Sequence, residues 1–279
     1  MLPAGRHLLS MPPDIRPAML WVLTEGVPDL RIPQRLIDPL ARLRLAADRM
    51  VGGQPDRLPE SLRSLLHKGH RLRILGQLQW LSRNGLLTCL GVTSESRARY
   101  LRGHHLKPIV TPLGYRPVYG TDLHLARDID VTFLGNLDSP RRKRILPGLF
   151  AALESRGIKV DVQTKLYGRQ RTQFLNRCRI VINVLRAEHD FVGQRFLLAA
   201  ANKALVVSEP LNDSAPFIPG RHLIVSDLER LADTVCECLR DEARRSMLAD
   251  QAYDFVTHEL TVSKMIATML DQVRRVRKA

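Results

Sequence analysis

The chain is poor in aromatic residues, cysteines and acids. Of its 279 residues 5% are aromatic and four are cysteine. Cys89, Cys178, Cys236 and Cys238 show neither C-x-x-C nor zinc-finger spacing, so the expectation is reduced thiols in a cytosolic protein. No apolar run reaches the length of about 18 residues that a membrane-spanning helix needs. The N-terminal stretch MLPAGRHLLSMPPD lacks the apolar core of roughly 7–15 residues that marks a secretory signal, so it is not read as one. G-x-x-x-x-G-K-[ST] and G-x-G-x-x-G are both missing, which removes support for a Walker-type phosphate loop and for a dinucleotide dehydrogenase. No helix-turn-helix, zinc or RNA-binding signature accompanies the low aromatic content, so nucleic acid is a disfavoured partner.

Basic residues, by contrast, are abundant. With 43 Lys and Arg against 28 Asp and Glu, the formal charge is +15, which favours acidic partners such as nucleotides or an anionic membrane surface. The hydrophobic share of 44% is that of an ordinary globular chain. The length admits one large domain or two of about 140 residues.

Met19 to Leu23 reads as a strand and Thr24 to Pro33 as a loop. From Gln34 to Met50, Leu36, Ile37, Leu40, Leu43 and Ala47 recur at helical spacing, the arginines between them forming a solvated face. Helix is expected from Pro59 to Asn84, strand over Leu86 to Val92, a short helix to Arg102, and strand at Ile109-Val110. His104-His105 reads as a surface turn, since no third ligand is spaced to make a metal site. Residues 116–127 read as a linker. Beyond it, strands at 130–134, 158–162, 179–184, 204–208 and 222–225 alternate with helices at 140–156, 169–177, 193–202 and 227–240, and two more helices fill 242–257 and 261–277. Such alternation predicts right-handed βαβ units and a largely parallel sheet.

Within that half, Val131 to Leu134 is an apolar strand ended by Gly135-Asn136, and Ser139-Pro140 supplies a hydroxyl N-cap and a first-position proline. Arg141, Arg142, Lys143 and Arg144 then crowd the first helical turn, where each opposes a macrodipole term of about 0.3–1 kcal/mol. A bound anion would resolve the conflict, because free backbone N–H groups point there. The bland alternative is a solvated basic turn. Arg195, in the first turn after Gly193, repeats the anomaly. In open parallel sheets ligands bind beyond the carboxyl ends of the strands. Polar residues mark three such ends, namely Gly135-Asn136, Asn183 and Ser208-Glu209. For His189 beside Asp190, a solvated or orienting role is preferred to an acid/base pair.

At this point the sequence resembles a family. VTFLGN followed by SPRRKRILPGL, then LYGRQRTQFLNRCRIVINV, RFLLAAANKALVVSEP and the F-x-P-G-x-H-L-I-V segment resemble the nucleotide-sugar-binding domain of GT-B-fold glycosyltransferases, closest to the spore-maturation type. SESRARYLRGHHLKPIVTPLGY resembles the end of their N-terminal domain. The resemblance implies an α/β protein of two Rossmann-like lobes. An incomplete acceptor-side lobe would span 1–118, a nucleotide-sugar-binding lobe 119–258, and a last helix packing back toward the first lobe 259–279. It implies transfer of a sugar from a nucleotide-sugar donor to an unidentified glycan, lipid or protein acceptor, without cofactor or metal. The expected location is cytoplasmic, with peripheral contact at the inner face of an anionic membrane as a further reading of the charge.

On the same resemblance Gly135, Asn136, Arg141 and Arg195 would surround the donor diphosphate, and Asn183, Asp190 and Glu209 would lie near the sugar or nucleoside. Asp190 and Arg195 are the expected catalytic residues. The chain departs from the family pattern in two places. The second glutamate of E-x7-E, which contacts the donor ribose in related retaining enzymes, falls on Leu198, and the first falls on Asp190. A customary glycine falls on Lys203. These departures, with a first lobe that lacks the glycine-rich first strand, motivate the alternative of a non-catalytic nucleotide- or partner-binding protein of the same fold.

Overall fold

The computed structural model describes residues 10–12, 20–23, 34–50, 69–186 and 193–278. The loop expected over 24–33, the first helical turns after Pro59 and the His189-Asp190 pair lie outside the described residues. The chain divides into two compact units, one of Met1–Thr111 with Thr268–Ala279, the other of Pro112–Ala267.

The first unit contains a parallel sheet in the order β1-β2-β3, from β1 (Leu20–Leu23), β2 (Cys89–Val92) and β3 (Pro108–Val110). Helices α1 (Gln34–Met50), α2 (His70–Arg83) and α3 (Glu95–Arg102) accompany it. Ile37, Leu75, Leu78, Leu90, Val92 and Leu101 form its core. Ser94 caps α3 by accepting the Arg97 N–H. His104-His105 does form a turn, with His105 exposed, but the His104 side chain is buried. Its Nδ1 bonds the Asp38 carboxylate at 2.7 Å, and Gln79 donates to the same oxygen. The end of the last helix belongs to this unit, and its Met269 and Val273 pack with Cys89.

In the second unit five parallel strands follow the order β5-β4-β6-β7-β8. They are β4 (Ile129–Leu134), β5 (Val160–Gln163), β6 (Cys178–Asn183), β7 (Leu205–Ser208) and β8 (Ile224–Val225). The helices are α4 (Pro140–Glu154), α5 (Gly168–Arg177), α6 (Gln194–Ala200), α7 (Leu231–Arg240), α8 (Glu242–Asp254) and α9 (Val262–Lys278). Alternate strand residues point to opposite faces. Ile180, Ile182, Leu205 and Val207 therefore pack with Leu146 and Leu153 of α4 and Leu231 and Val235 of α7. Val181 and Val206 pack instead with Leu175 of α5, Phe196 and Leu197 of α6 and Ala252 of α8. Both faces are covered, which is why the strands read as continuous apolar runs. Each fully buried Phe or Ile contributes roughly 1.5–3 kcal/mol.

The stretch read as a linker is pinned to this unit. Buried Asn176 accepts from the Leu123 N–H and donates to Thr121 O, while buried Asn202 donates to Tyr119 O. Arg127 reaches the carbonyls of Cys178 and Asn202 at 2.6 and 3.0 Å. Tyr115 exchanges backbone bonds with Leu260 and Val262. That approach needs a glycine beside it, because a Cβ on Gly114 would fall 2.4 Å from the Val262 Cα.

Candidate functional site

The chain leaves β4 for β5 on one side and returns to place β6 on the other, so the strand order reverses between β4 and β6. Helices leaving adjacent strand ends diverge at such a point, and the crevice they leave is where α/β sheets take ligands. Two helix starts bring arginines to it. Ser139 Oγ accepts the Arg142 N–H at 3.2 Å and so sets the start of α4. Gly193, left-handed at φ 77°, sets the start of α6.

Arg195 bridges the ends of the two strands. Its Nε donates to Leu134 O at 2.9 Å and its Nη1 to the Asn183 side-chain oxygen. Asn183 Nδ2 donates to Ser208 Oγ at 2.8 Å, and that hydroxyl donates to Glu209 O, which fixes the amide's orientation. Arg142 donates from Nε to Val184 O and from Nη1 to Asn136 O, at 3.0 and 2.8 Å. The guanidinium groups of Arg142 and Arg195 both lie over the Phe133 ring, 5.2 and 5.0 Å from its centroid. Gly135, at φ 146°, completes the arrangement, since a Cβ there would sit 2.7 Å from Arg195 Nη2.

Arg141 makes a bidentate pair with Glu209, 2.7 Å from Nη1 to Oε1, and also donates to Leu185 O. Glu209 Oε1 accepts the Leu185 N–H as well. Arg141 Nε is buried and has no hydrogen-bond partner among the described residues. Burial, then the neighbouring charges of Arg142 and Arg186, pull the Arg195 pKa down to about 9, which leaves it cationic at neutral pH.

Arg141 and Arg142 of the first turn of α4 are therefore not a solvated turn, although Lys143 and Arg144 are exposed. The guanidinium groups of Arg141 and Arg142 meet strand-end carbonyls and one carboxylate, and the long-range contacts among these, 42 to 68 positions apart, are ones that helix periodicity does not display. Gly135, Arg141, Asn183, Arg195 and Glu209 come together. Asn136 is exposed, and its side chain accepts the Asp138 N–H in a local turn, so only its backbone joins the group. Asp190 lies outside the described residues. Arg142 is an addition. Its presence in the basic run was the available signal, and its burial under the β4–α4 turn sets it apart from exposed Lys143 and Arg144.

Leu198 is 6% exposed within the apolar cluster on the α6 side of the sheet. Lys203 holds a left-handed φ of 51°, the conformation a glycine would take without strain, and its ammonium contacts Asp122 and Asp250 at 3.1 and 2.9 Å. Burial pushes the Cys178 thiol up to about 12, which makes it a poor nucleophile. Among the described residues no three His, Cys, Asp or Glu side chains are grouped to hold a metal ion, and no helix is long and apolar enough to cross a membrane.

Comparison with known proteins agrees with this architecture. The model of a family described as glycosyl transferase-like matches residues 123–271. HepE of Anabaena, solved in complex with UDP and glucose, superposes with a TM-score of 0.60 at 12% identity, over 93% of this chain and 72% of that one. TarM of S. aureus gives 0.57 at 10% identity, over 71% of this chain and 46% of that one. Sucrose-phosphate synthase from Thermosynechococcus elongatus gives 0.53 at 14% identity, over 69% and 59%. The chain thus spans less than half the length of TarM. At these identities the likeness establishes a fold of Rossmann-like α/β lobes. No curated protein matches the chain.

Proposed function

The chain belongs to the glycosyl transferase-like family, and from that premise we propose that it transfers a glycosyl group from a nucleotide-diphosphate sugar to an acceptor. The observation that carries this reading is the convergence of Arg141, Arg142 and Arg195 at the crevice between β4 and β6, with Glu209 the one carboxylate bonded among them in the described residues. A strand-end crevice rich in guanidinium groups suits a diphosphate, to which arginine offers paired, directed donors. The buried Arg141 Nε, without a hydrogen-bond partner among the described residues, is a donor suited to such a ligand. HepE, a neighbour of the same fold, was crystallised with UDP, which supports a uridine nucleotide as the first donor to try.

In this scheme the bond between the anomeric carbon and the diphosphate oxygen breaks, and the departing diphosphate keeps the electron pair. An acceptor oxygen forms the new bond to that carbon and loses its proton. Arg195 and Arg141 stabilise the charge gathering on the leaving group, which is the main electrostatic demand of the step, and no metal is required. Arg195 is the catalytic cation of the proposal, and Gly135 keeps room for it. Glu209 and Asn183 act through Arg141 and Arg195 as positioning residues. Asp190, which the family resemblance aligns with the first glutamate of E-x7-E, would stand on the sugar side.

One observation favours the alternative of a nucleotide-binding protein without turnover. Leu198 buries an apolar side chain where the resemblance places the ribose-binding glutamate. Incubation with UDP-glucose, UDP-N-acetylglucosamine and the corresponding guanosine donors, followed by chromatography of released nucleoside diphosphate, separates the readings. Release above the enzyme-free rate, lost in Arg195→Ala, is expected. Nucleotide binding without release from any donor, with or without simple sugar acceptors, would favour the binding protein.

A further inference from the structure

Helix α1 has two apolar faces. Ile37, Ala41 and Leu45 are buried in the core of the first unit. Leu36, Leu40 and Leu43 point away from it, with 46%, 36% and 67% of their surface exposed. At 100° per residue these three fall within about 60° of arc and form one stripe roughly two turns long. The helical periodicity of the sequence merges the two faces, and the leucines that look most like a core seam are the ones left outside. Single exposed leucines are ordinary, whereas three aligned on one helix mark a contact surface. Arg35 and Arg42 are exposed together on one flank of the stripe. The only acid among the described side chains of α1 is Asp38, which is turned inward onto His104 and Gln79.

We propose that the outward face of α1 docks on an anionic lipid membrane, with Leu36, Leu40 and Leu43 entering the boundary between headgroups and acyl chains and Arg35 and Arg42 meeting lipid phosphates. An apolar stripe flanked by arginine, lying in the interface plane, gains from both buried area and attraction to anionic lipid. A second copy of the chain suits the face poorly. It would bring the same arginines against Arg35 and Arg42, on a molecule that itself carries +15. Nucleic acid would engage the arginines and leave the leucines in water. The proposal stands apart from the nucleotide site and does not depend on it.

Co-sedimentation of the full chain with vesicles tests this. Binding is expected to phosphatidylcholine vesicles containing phosphatidylglycerol, and none to pure phosphatidylcholine. Arg35→Gln with Arg42→Gln should weaken it by about fivefold per arginine. Leu36→Ser with Leu40→Ser and Leu43→Ser should weaken it about tenfold or more, with only a small drop in melting temperature because the three side chains are already partly exposed. If the serine variant melts early, the arginine pair decides the matter. Three results would overturn the proposal: no binding by the wild type to the anionic vesicles, full binding by either variant, or a wild-type dimer in sedimentation velocity that the serine variant dissolves.

Discussion

Replacing Glu209 by glutamine perturbs the site at the one carboxylate bonded there among the described residues. The Glu209 side chain is 4% exposed and that of its partner Arg141 13%. Removing one member of a buried pair typically costs about 3–5 kcal/mol, because the other charge is stranded. Glutamine keeps the shape and one acceptor oxygen, so the Leu185 N–H or one Arg141 Nη stays bonded, and Arg141 retains some hydration. What is lost is close to one charge-assisted hydrogen bond, about 1.5–3 kcal/mol. For a domain of 150 residues or more, about 2–4 °C accompanies each kcal/mol, so the melting temperature should fall by about 3–12 °C. Pyrophosphate affinity should hold or rise a few-fold, since Arg141 loses a competing anion and keeps its charge. Calorimetric melts and a pyrophosphate titration read both quantities. An unchanged melt would mean that the buried pair does not form. Lost affinity with an unchanged melt would mean that Glu209 meets the ligand itself instead of positioning Arg141.

Gly135→Ala places a Cβ 2.7 Å from Arg195 Nη2 at a φ of 146°, so it should cost about 1–3 kcal/mol in a thermal melt and weaken pyrophosphate binding by about tenfold. His222 stacks on Phe255 at 4.4 Å, and its Nδ1 accepts the Ile218 N–H. Burial and then Arg221 lower its pKa below 6.5, so its neutral form stabilises the fold above that pH, and the contribution is lost as pH falls through the folded value. Melts between about pH 5 and 8 should show this acid-side loss, and His222→Gln should flatten it. At Lys203, alanine keeps the left-handed strain of about 1–2 kcal/mol and drops both ion pairs, whereas glycine drops the pairs and relieves the strain. Lys203→Ala should therefore melt below Lys203→Gly, and the reverse order would contradict the strain argument.

The strands and helices of the second unit were legible because local signals agreed. β4, β6 and β7 are apolar runs between polar ends, and Ser139-Pro140 marks the start of α4. Gly135, Arg141, Asn183, Arg195 and Glu209 could be named because strand ends and first helical turns are visible in sequence. Their partners could not. The Arg141–Glu209 pair spans 68 positions and the Arg195–Leu134 bond 61, and neither is written into any local period. The same holds for residues 116–127, whose single proline and glycine read as a tether until Asn176 and Asn202 are seen to bond their backbone. Inward and outward faces of α1 were confused because leucine occupies both.

The claim that an anionic diphosphate occupies the crevice between β4 and β6 is tested most directly by isothermal titration of uridine diphosphate into the full chain and into Arg195→Ala. Arg195 bonds Leu134 O and Asn183 Oδ1, so the variant should also melt a few degrees lower, and the titration is run well below that melt. A charge-assisted hydrogen bond of about 1.5–3 kcal/mol corresponds to a loss of affinity of roughly 10- to 100-fold, and that loss is the expected result. Equal affinity in the two proteins, or no heat from the wild type at millimolar nucleotide, would contradict the placement of the site.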